Sequence, residues 1–453
     1  MPLSAALPGL LLAGIGAAAA AAEEPKLEVR VDPRVEMLSI VFRLAGNREY
    51  AMPNSASPYS SEVEERFGPF KGHPAVAAAR ALRATRGVSY DAVMSFATHL
   101  SDGTSLTERV PFDPRPARLD ERWTPDGARD FLSKLRAFAE ETRFAEFVSS
   151  HEAFYRAAAK RLADVVSDRA RLGWFDGFFG EVPGASYVVV VGLLTGGGNY
   201  GVGVIHPDGR EEITPVIGAY RFDSEGLPVY DDAVLPTVAH EFCHSYSNRI
   251  VDRNLETLAP AGERLFTLSA DAMRRQAYGN AKTLLYETLV RACVVRWRAA
   301  GEGNGAAIAE IEEQKKRGFP WIEDAVLALA RFEASRREHP TFDAFAPELA
   351  KALLAAADRL EAAAAKAPKI VSMTPENGAT GVEASLAAIV VTFDRPMRDK
   401  GWSVVGSSAE APPSAGSPFY DEKRLTITIP VKLEPKKTYR FSLNSARFDS
   451  FRS

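Results

Sequence analysis

The spacing of apolar residues changes character several times along the chain. Leu27, Val29 and Val31 alternate with polar positions, and Leu38, Ile40, Val41 and Phe42 follow in a dense apolar run, a pattern that predicts one or two strands over 26–50. From residue 74 to about 173 the period lengthens to that of helices. Thr124 and Pro125 form an N-cap and first-turn pair ahead of Phe131, Leu135 and Phe138, and Phe154, Ala158, Leu162 and Val165 mark a second such helix. Residues 187–194 are continuously apolar and rich in valine, the signature of a strand covered on both faces. Gly196, Gly197, Gly198 and Asn199 then turn the chain into 200–206, where Tyr200, Val202 and Val204 alternate with Gly201 and Gly203. A strand so poor in side chains leaves its backbone approachable. It reads as an edge strand able to take up a peptide by strand addition, or as one arm of a hairpin with a flexible turn. No Lys-Ser/Thr pair follows the glycines, so they do not form a phosphate loop.

The next segment carries the chemistry. Leu235, Val238, Ala239, Phe242, Cys243 and Tyr246 fall on one stripe of a helix, Asp231 or Asp232 can cap it, and Pro236 sits in the opening turn where proline is tolerated. His240 and His244, four residues apart, project from one side off that stripe, with Glu241 beside them. This is HExxH: two imidazoles able to chelate one zinc ion, and a carboxylate placed to take a proton from metal-bound water. Cys243 lies on the apolar stripe and reads as a small core residue.

A hydrolytic zinc ion wants a third protein ligand and leaves a position for water. The extended motif with a downstream glycine and histidine is absent, since Ser247 and Ile250 stand at those places. Among Glu256, Glu263, Asp271 and Glu287, the last stands out because Leu284 and Val290 flank it on its helix face, so its carboxylate points inward and needs a strong partner. That partner is a metal, or Arg291 four residues on, which can equally orient a ligand.

HEFCH followed some forty residues later by a helical glutamate resembles the gluzincin metallopeptidases. The segments Val35-Glu36-Met37-Leu38-Ser39-Ile40 and Leu44-Ala45-Gly46 resemble an uncharacterised family of exported bacterial proteins catalogued as a domain of unknown function, over roughly 30–340. The zincin resemblance implies an edge strand that holds the substrate antiparallel, His240, His244 and Glu287 as zinc ligands, and Glu241 as general base. Tyr286, Tyr246, Arg291 and His206 stay open as the electrophile beside the metal.

After an alanine-rich helix over 347–367, Pro375 to Val382 (PENGATGV) is turn chemistry, and 388–393, 425–429 and 439–443 have strand patterns. This block resembles a bacterial Ig-like domain in PENGATGV and in Phe393-Asp394-Arg395-Pro396-Met397. The expected class is therefore α+β: a zincin-like, mostly helical domain with a small sheet and an active-site helix over 26–367, then an all-β Ig-like sandwich over 368–453.

Composition narrows the function. Lys+Arg 55 against Asp+Glu 59 leaves a net charge of −4 over 453 residues, which excludes the charge excess of a nucleic-acid binder. Two cysteines cannot build a disulfide framework or a four-cysteine zinc site. The apolar stretch from Leu7 to Ile15, followed by Ala17 to Ala22, reads as a signal peptide over 1–22, although no Lys or Arg precedes it. The expectation is an exported protein (periplasmic, cell-surface or extracellular) with no membrane span in the mature chain. It is a zinc metallopeptidase acting on a peptide or protein substrate, attached to a surface through the Ig-like block. The other class is a surface binding or adhesion protein that displays a non-catalytic zincin-like fold. An intact Glu241 favours the enzyme, because a binding site has no need of a general base.

Overall fold

The computed structural model describes residues 26–444 apart from 53–55, 102–105, 183 and 408–409. The expected signal segment over 1–22 lies outside the described residues.

β1 (Leu27–Arg30) leads into α1 (Pro33–Leu44), α2 (Pro58–Phe67), α3 (Pro74–Arg86) and α4 (Asp91–Thr98). Then come α5 (Pro125–Glu141), α6 (Phe144–Ser150), α7 (Glu152–Val166) and α8 (Gly173–Phe179). The first residues match the expected strand, but Leu38 to Phe42 do not. They lie in α1, where Asp32 accepts a hydrogen bond from the Arg34 amide and Pro33 opens the first turn. That helix is apolar nearly all round because it is buried nearly all round, so no 3.6-residue period shows. α5 starts as its sequence dictates, with the Thr124 hydroxyl accepting from the Gly127 amide and Phe131, Leu135 and Phe138 in the core.

β2 (Ser186–Gly192), β3 (Tyr200–Ile205) and β4 (Glu211–Gly218) join β1 in a mixed sheet of order β1-β2-β4-β3. β2 is central and parallel to both neighbours, which is why its side chains read as one apolar run. Its ladder with β4 lapses between the pairs Tyr187↔Ile213 and Val190↔Val216, opposite the segment holding Pro215, whose nitrogen has no proton to donate. The hairpin arm offered for β3 is found with a different partner. The glycine turn carries the chain from the central strand to the far edge, and β3 pairs antiparallel with β4.

The remaining helices are α9 (Leu235–Arg253), α10 (Leu255–Arg275), α11 (Ala281–Glu302), α12 (Asn304–Lys316), α13 (Ile322–Ala334) and α14 (Phe342–Lys366). One hydrophobic core runs from Val31 to Ala357 through these helices and the sheet. A second, separate core of Ile389, Val391, Phe393, Met397, Ile427, Ile429 and Val431 holds the C-terminal strands. There β5 (Ile370–Thr374), β6 (Ala388–Phe393), β8 (Phe419–Tyr420) and β9 (Thr426–Pro430) form an antiparallel sheet of order β5-β6-β9-β8, while β7 (Val404–Val405) pairs with β10 (Ser442–Leu443). Where the helical part meets the strands, Arg395 Nη1 donates to the Lys366 carbonyl at 3.0 Å and the Lys369 amide to Asp394 Oδ1 at 2.8 Å. Among the described residues, no helix is long and apolar enough to cross a membrane.

Candidate metal centre

α9 is positioned by its apolar stripe. Asp231 caps the short turn Asp232–Val234 through the Ala233 amide, and the helix proper begins at Leu235 with Pro236 in its first turn. Leu235, Val238, Ala239, Phe242, Cys243 and Tyr246 are all buried, as their spacing predicts. Cys243 meets the thiol of Cys293 on α11, in the core and turned away from the histidines.

The opposite side of α9 faces a cleft of about 1970 Å³, and here His240, Glu241, His244 and Glu287 come together. His240 Nε2 and His244 Nε2 are 3.2 Å apart. Glu287, from α11, sets Oε2 at 3.6 Å from His240 Nε2 and Oε1 at 3.5 Å from His244 Nε2. Four tetrahedral ligands at about 2.0–2.1 Å from a zinc ion stand about 3.3–3.4 Å from one another. The two imidazole nitrogens stand close to that edge, each carboxylate oxygen lies near it from one histidine, and one donor atom from each residue makes a set within 4.8 Å.

The protonation states agree with this geometry. Burial pushes His240 down to about 3 against the pull of Glu287, so the ring is neutral and its lone pair is available. His244 gives its Nδ1 proton to Asn248 Oδ1 at 3.1 Å and keeps Nε2 for the cleft. Burial works to raise Glu287, but the permanently charged Arg291 guanidinium beside it overcomes this and keeps the carboxyl ionised. Glu287 Oε2 is buried and receives no aligned hydrogen bond, although Arg291 Nη2 lies 2.9 Å away. Two imidazole nitrogens turned to the cleft, an ionised carboxylate and an under-used buried oxygen fit a divalent zinc ion. The two partners foreseen for Glu287, a metal and Arg291, are thus compatible.

Glu241 is 7% exposed, and burial together with the charge of Glu287 pushes it up to about 8. Its carboxylate is approached by the Gly201 backbone amide of β3. β3 comes this close because Gly201 has no side chain: a Cβ there would sit 2.5 Å from the Glu241 carbonyl oxygen and 3.0 Å from His244 Cβ. The strand is the sheet edge, as expected, yet part of that edge is already used. The Gly203 carbonyl accepts from the Thr98 hydroxyl at 3.2 Å, and the Gly201 amide serves Glu241.

Other sequence candidates separate cleanly. Glu256, Glu263 and Asp271 are exposed on α10 and do not join the histidines. Tyr246 turns into the core, where its hydroxyl meets Asp176 at 2.9 Å and Tyr187 at 2.9 Å. His206 lies off the cleft lining, whereas Tyr286 and Arg291 line it, Tyr286 bonded to Asp252 and Arg291 to Glu287. Asn248, Tyr278 and Gln314 were not foreseen. Asn248 carries a signal in retrospect, being one further turn beyond His244; the other two reach the site only through tertiary packing.

The chain belongs to the family described as Domain of unknown function (DUF4932), whose profile matches residues 27–352. The segment that follows, residues 364–450, matches the Bacterial Ig-like domain, in agreement with the strand-rich C-terminal fold. No curated protein matches the chain. Among solved structures, that of the S-layer protein rSbsC(31-844) is similar over 48% of this chain and 32% of that one, at 18% identity and a TM-score of 0.13.

Proposed function

We propose that the protein is an exported zinc-dependent metallopeptidase of gluzincin type, with His240, His244 and Glu287 as ligands and Glu241 as general base. The observation that supports it most is the convergence of three donors from two helices within 4.8 Å of one another, with a second buried carboxylate, Glu241, beside them. A zinc ion held there lowers the pKa of a bound water and polarises a carbonyl. Glu241 takes the proton of the attacking water and returns it to the leaving amine. Its raised affinity for protons suits that exchange near neutral pH, and the charge of a bound metal tempers it. The Gly201 amide fixes the direction of the carboxylate. A cleft of about 1970 Å³ exceeds the roughly 300–1,000 Å³ of a small-molecule site and favours an extended substrate such as a peptide.

The test is metal analysis of the purified chain with a peptide-library digestion. We expect about one zinc per chain, lost in Glu287→Ala. Glu241→Gln keeps the zinc and loses about 10²–10⁴-fold in turnover, because an amide cannot accept the proton. A zinc-replete wild type that cleaves no peptide turns the reading toward the surface-binding alternative.

A further inference from the structure

Arg291 is held at both terminal nitrogens and over an aromatic ring, while its buried Nε has no hydrogen-bond partner. Its guanidinium lies over the Phe319 ring at 4.6 Å, Nη1 donates to Gln314 Oε1 at 2.6 Å, and Nη2 donates to the Tyr278 hydroxyl at 2.9 Å while facing Glu287 Oε2 at 2.9 Å. Gln314 stands on α12 and is held in turn: its Nε2 donates to Glu310 Oε1 at 2.5 Å, and Glu310 Oε2 accepts from Arg298 Nη1 at 2.8 Å. Arg291, Gln314 and Glu310 are all buried. A buried chain therefore runs from the carboxylate at the metal centre, through an ion pair to Arg291 and charge-assisted hydrogen bonds beyond it, to a helix that contributes no ligand.

We propose that Gln314 is a positioning residue for the metal centre: by fixing Arg291 it fixes the carboxylate of Glu287 against the two histidines. This rests on the metal reading above. An arginine on a flexible stem can pair with Glu287 in many orientations; in the one observed, the carboxylate oxygens face the His240 and His244 nitrogens. The Gln314 carbonyl selects it by taking Nη1. Without that acceptor, Nη1 is a buried charged donor with no partner, and the guanidinium must turn to find one. Glu287 turns with it. Groups that orient ligands in this way typically set metal affinity by 10–100-fold.

The experiment compares the full chain with Gln314→Met, which keeps length and removes the acceptor, and with the paired swap Gln314→Glu with Glu310→Gln, which keeps an acceptor for Arg291 and an amide donor between the two side chains. Zinc affinity is measured by chelator competition, folding by circular dichroism, and ligand geometry by the visible spectrum of the cobalt(II)-loaded proteins. Gln314→Met should bind zinc about 10–100-fold more weakly with an altered cobalt spectrum, and the paired swap should stay within about three-fold of wild type. A purely structural glutamine would lower stability in Gln314→Met and leave both metal readouts unchanged, which overturns the inference. Should Gln314→Met not fold, Arg291→Lys takes its place. It keeps the charge beside Glu287 but cannot bridge to Gln314 and Tyr278 together, so wild-type zinc affinity in that variant overturns the inference equally. Absence of zinc from the wild-type chain overturns the metal reading itself.

Discussion

Gly201 is where the edge strand and the histidine-bearing helix come together, and adding one methyl group there probes the site without replacing a ligand. A Cβ at Gly201 falls 2.5 Å from the Glu241 carbonyl oxygen, 3.0 Å from His244 Cβ and 3.3 Å from Glu241 Oε2. Non-bonded carbon contacts settle at about 3.5–4.0 Å, so β3 and α9 must part by on the order of 1 Å. The obstacle is backbone, which cannot swing aside as a flexible side chain can. Overpacking of this kind costs about 1–3 kcal/mol, and at about 2 kcal/mol the melting temperature of a domain this size falls by roughly 3 °C. The displaced atoms belong to a proposed ligand and to the residue next to the other one, so zinc affinity should fall by about ten-fold as well. Gly197, in the turn before the strand, is the matched control, since a methyl group there meets nothing within 4 Å. Gly197→Ala should be neutral or stabilising by about 0.4–1 kcal/mol. The assay is thermal denaturation of both variants with and without zinc. If Gly201→Ala melts within about 1 °C of wild type and binds zinc normally, the close approach of strand and helix is wrong, and with it the account of how Glu241 is oriented.

Two further predictions rest on other parts of the molecule. Glu36 is fully buried, accepts from the Leu193 amide at 3.0 Å and from the Tyr59 hydroxyl at 3.0 Å, and burial pushes it from 4.5 to about 8. The folded chain therefore holds a proton that the unfolded chain releases, so stability should decline as pH rises from about 4.5 to about 8 and level off above. Glu36→Gln should flatten that decline in urea melts at successive pH values; a slope as steep as wild type assigns it to other groups. Because the two hydrophobic cores share no residue, truncation at Ala367 should leave zinc content within about two-fold and the helical part folded. Limited proteolysis should cut first over 366–369, and loss of metal on truncation would show that the C-terminal strands support the site.

What could be read from the sequence was what local spacing encodes. His240 and His244 at four residues, Glu241 between them and the inward-facing Glu287 each follow from helix geometry alone. β2 was legible because a strand buried on both faces has no polar positions to hide it. The same logic failed at Leu38 to Phe42: a helix apolar nearly all round has no visible period, and only the Asp32-Pro33 pair ahead of it marks its start. β3 was read correctly as an edge, but its partner β4 follows it in sequence and β2 precedes it, and spacing does not choose between them. Gln314 and Tyr278 left no local trace. Their part at the site exists only once α12 and the α10–α11 loop are packed against Arg291.

The pairing of Glu287 with Arg291 bears on the order of assembly. In small metal-dependent folds the bare ligands repel or stay solvated, and the chain waits for its ion before it closes. Here the buried negative charge is already answered by a buried positive one at 2.9 Å, so the helices can dock without any ion. If the site holds zinc as proposed, maturation has two separable stages, a folding stage that asks nothing of the surroundings and a loading stage set by the free metal. A chain made where zinc is scarce would arrive complete and idle, and become competent on meeting zinc without refolding.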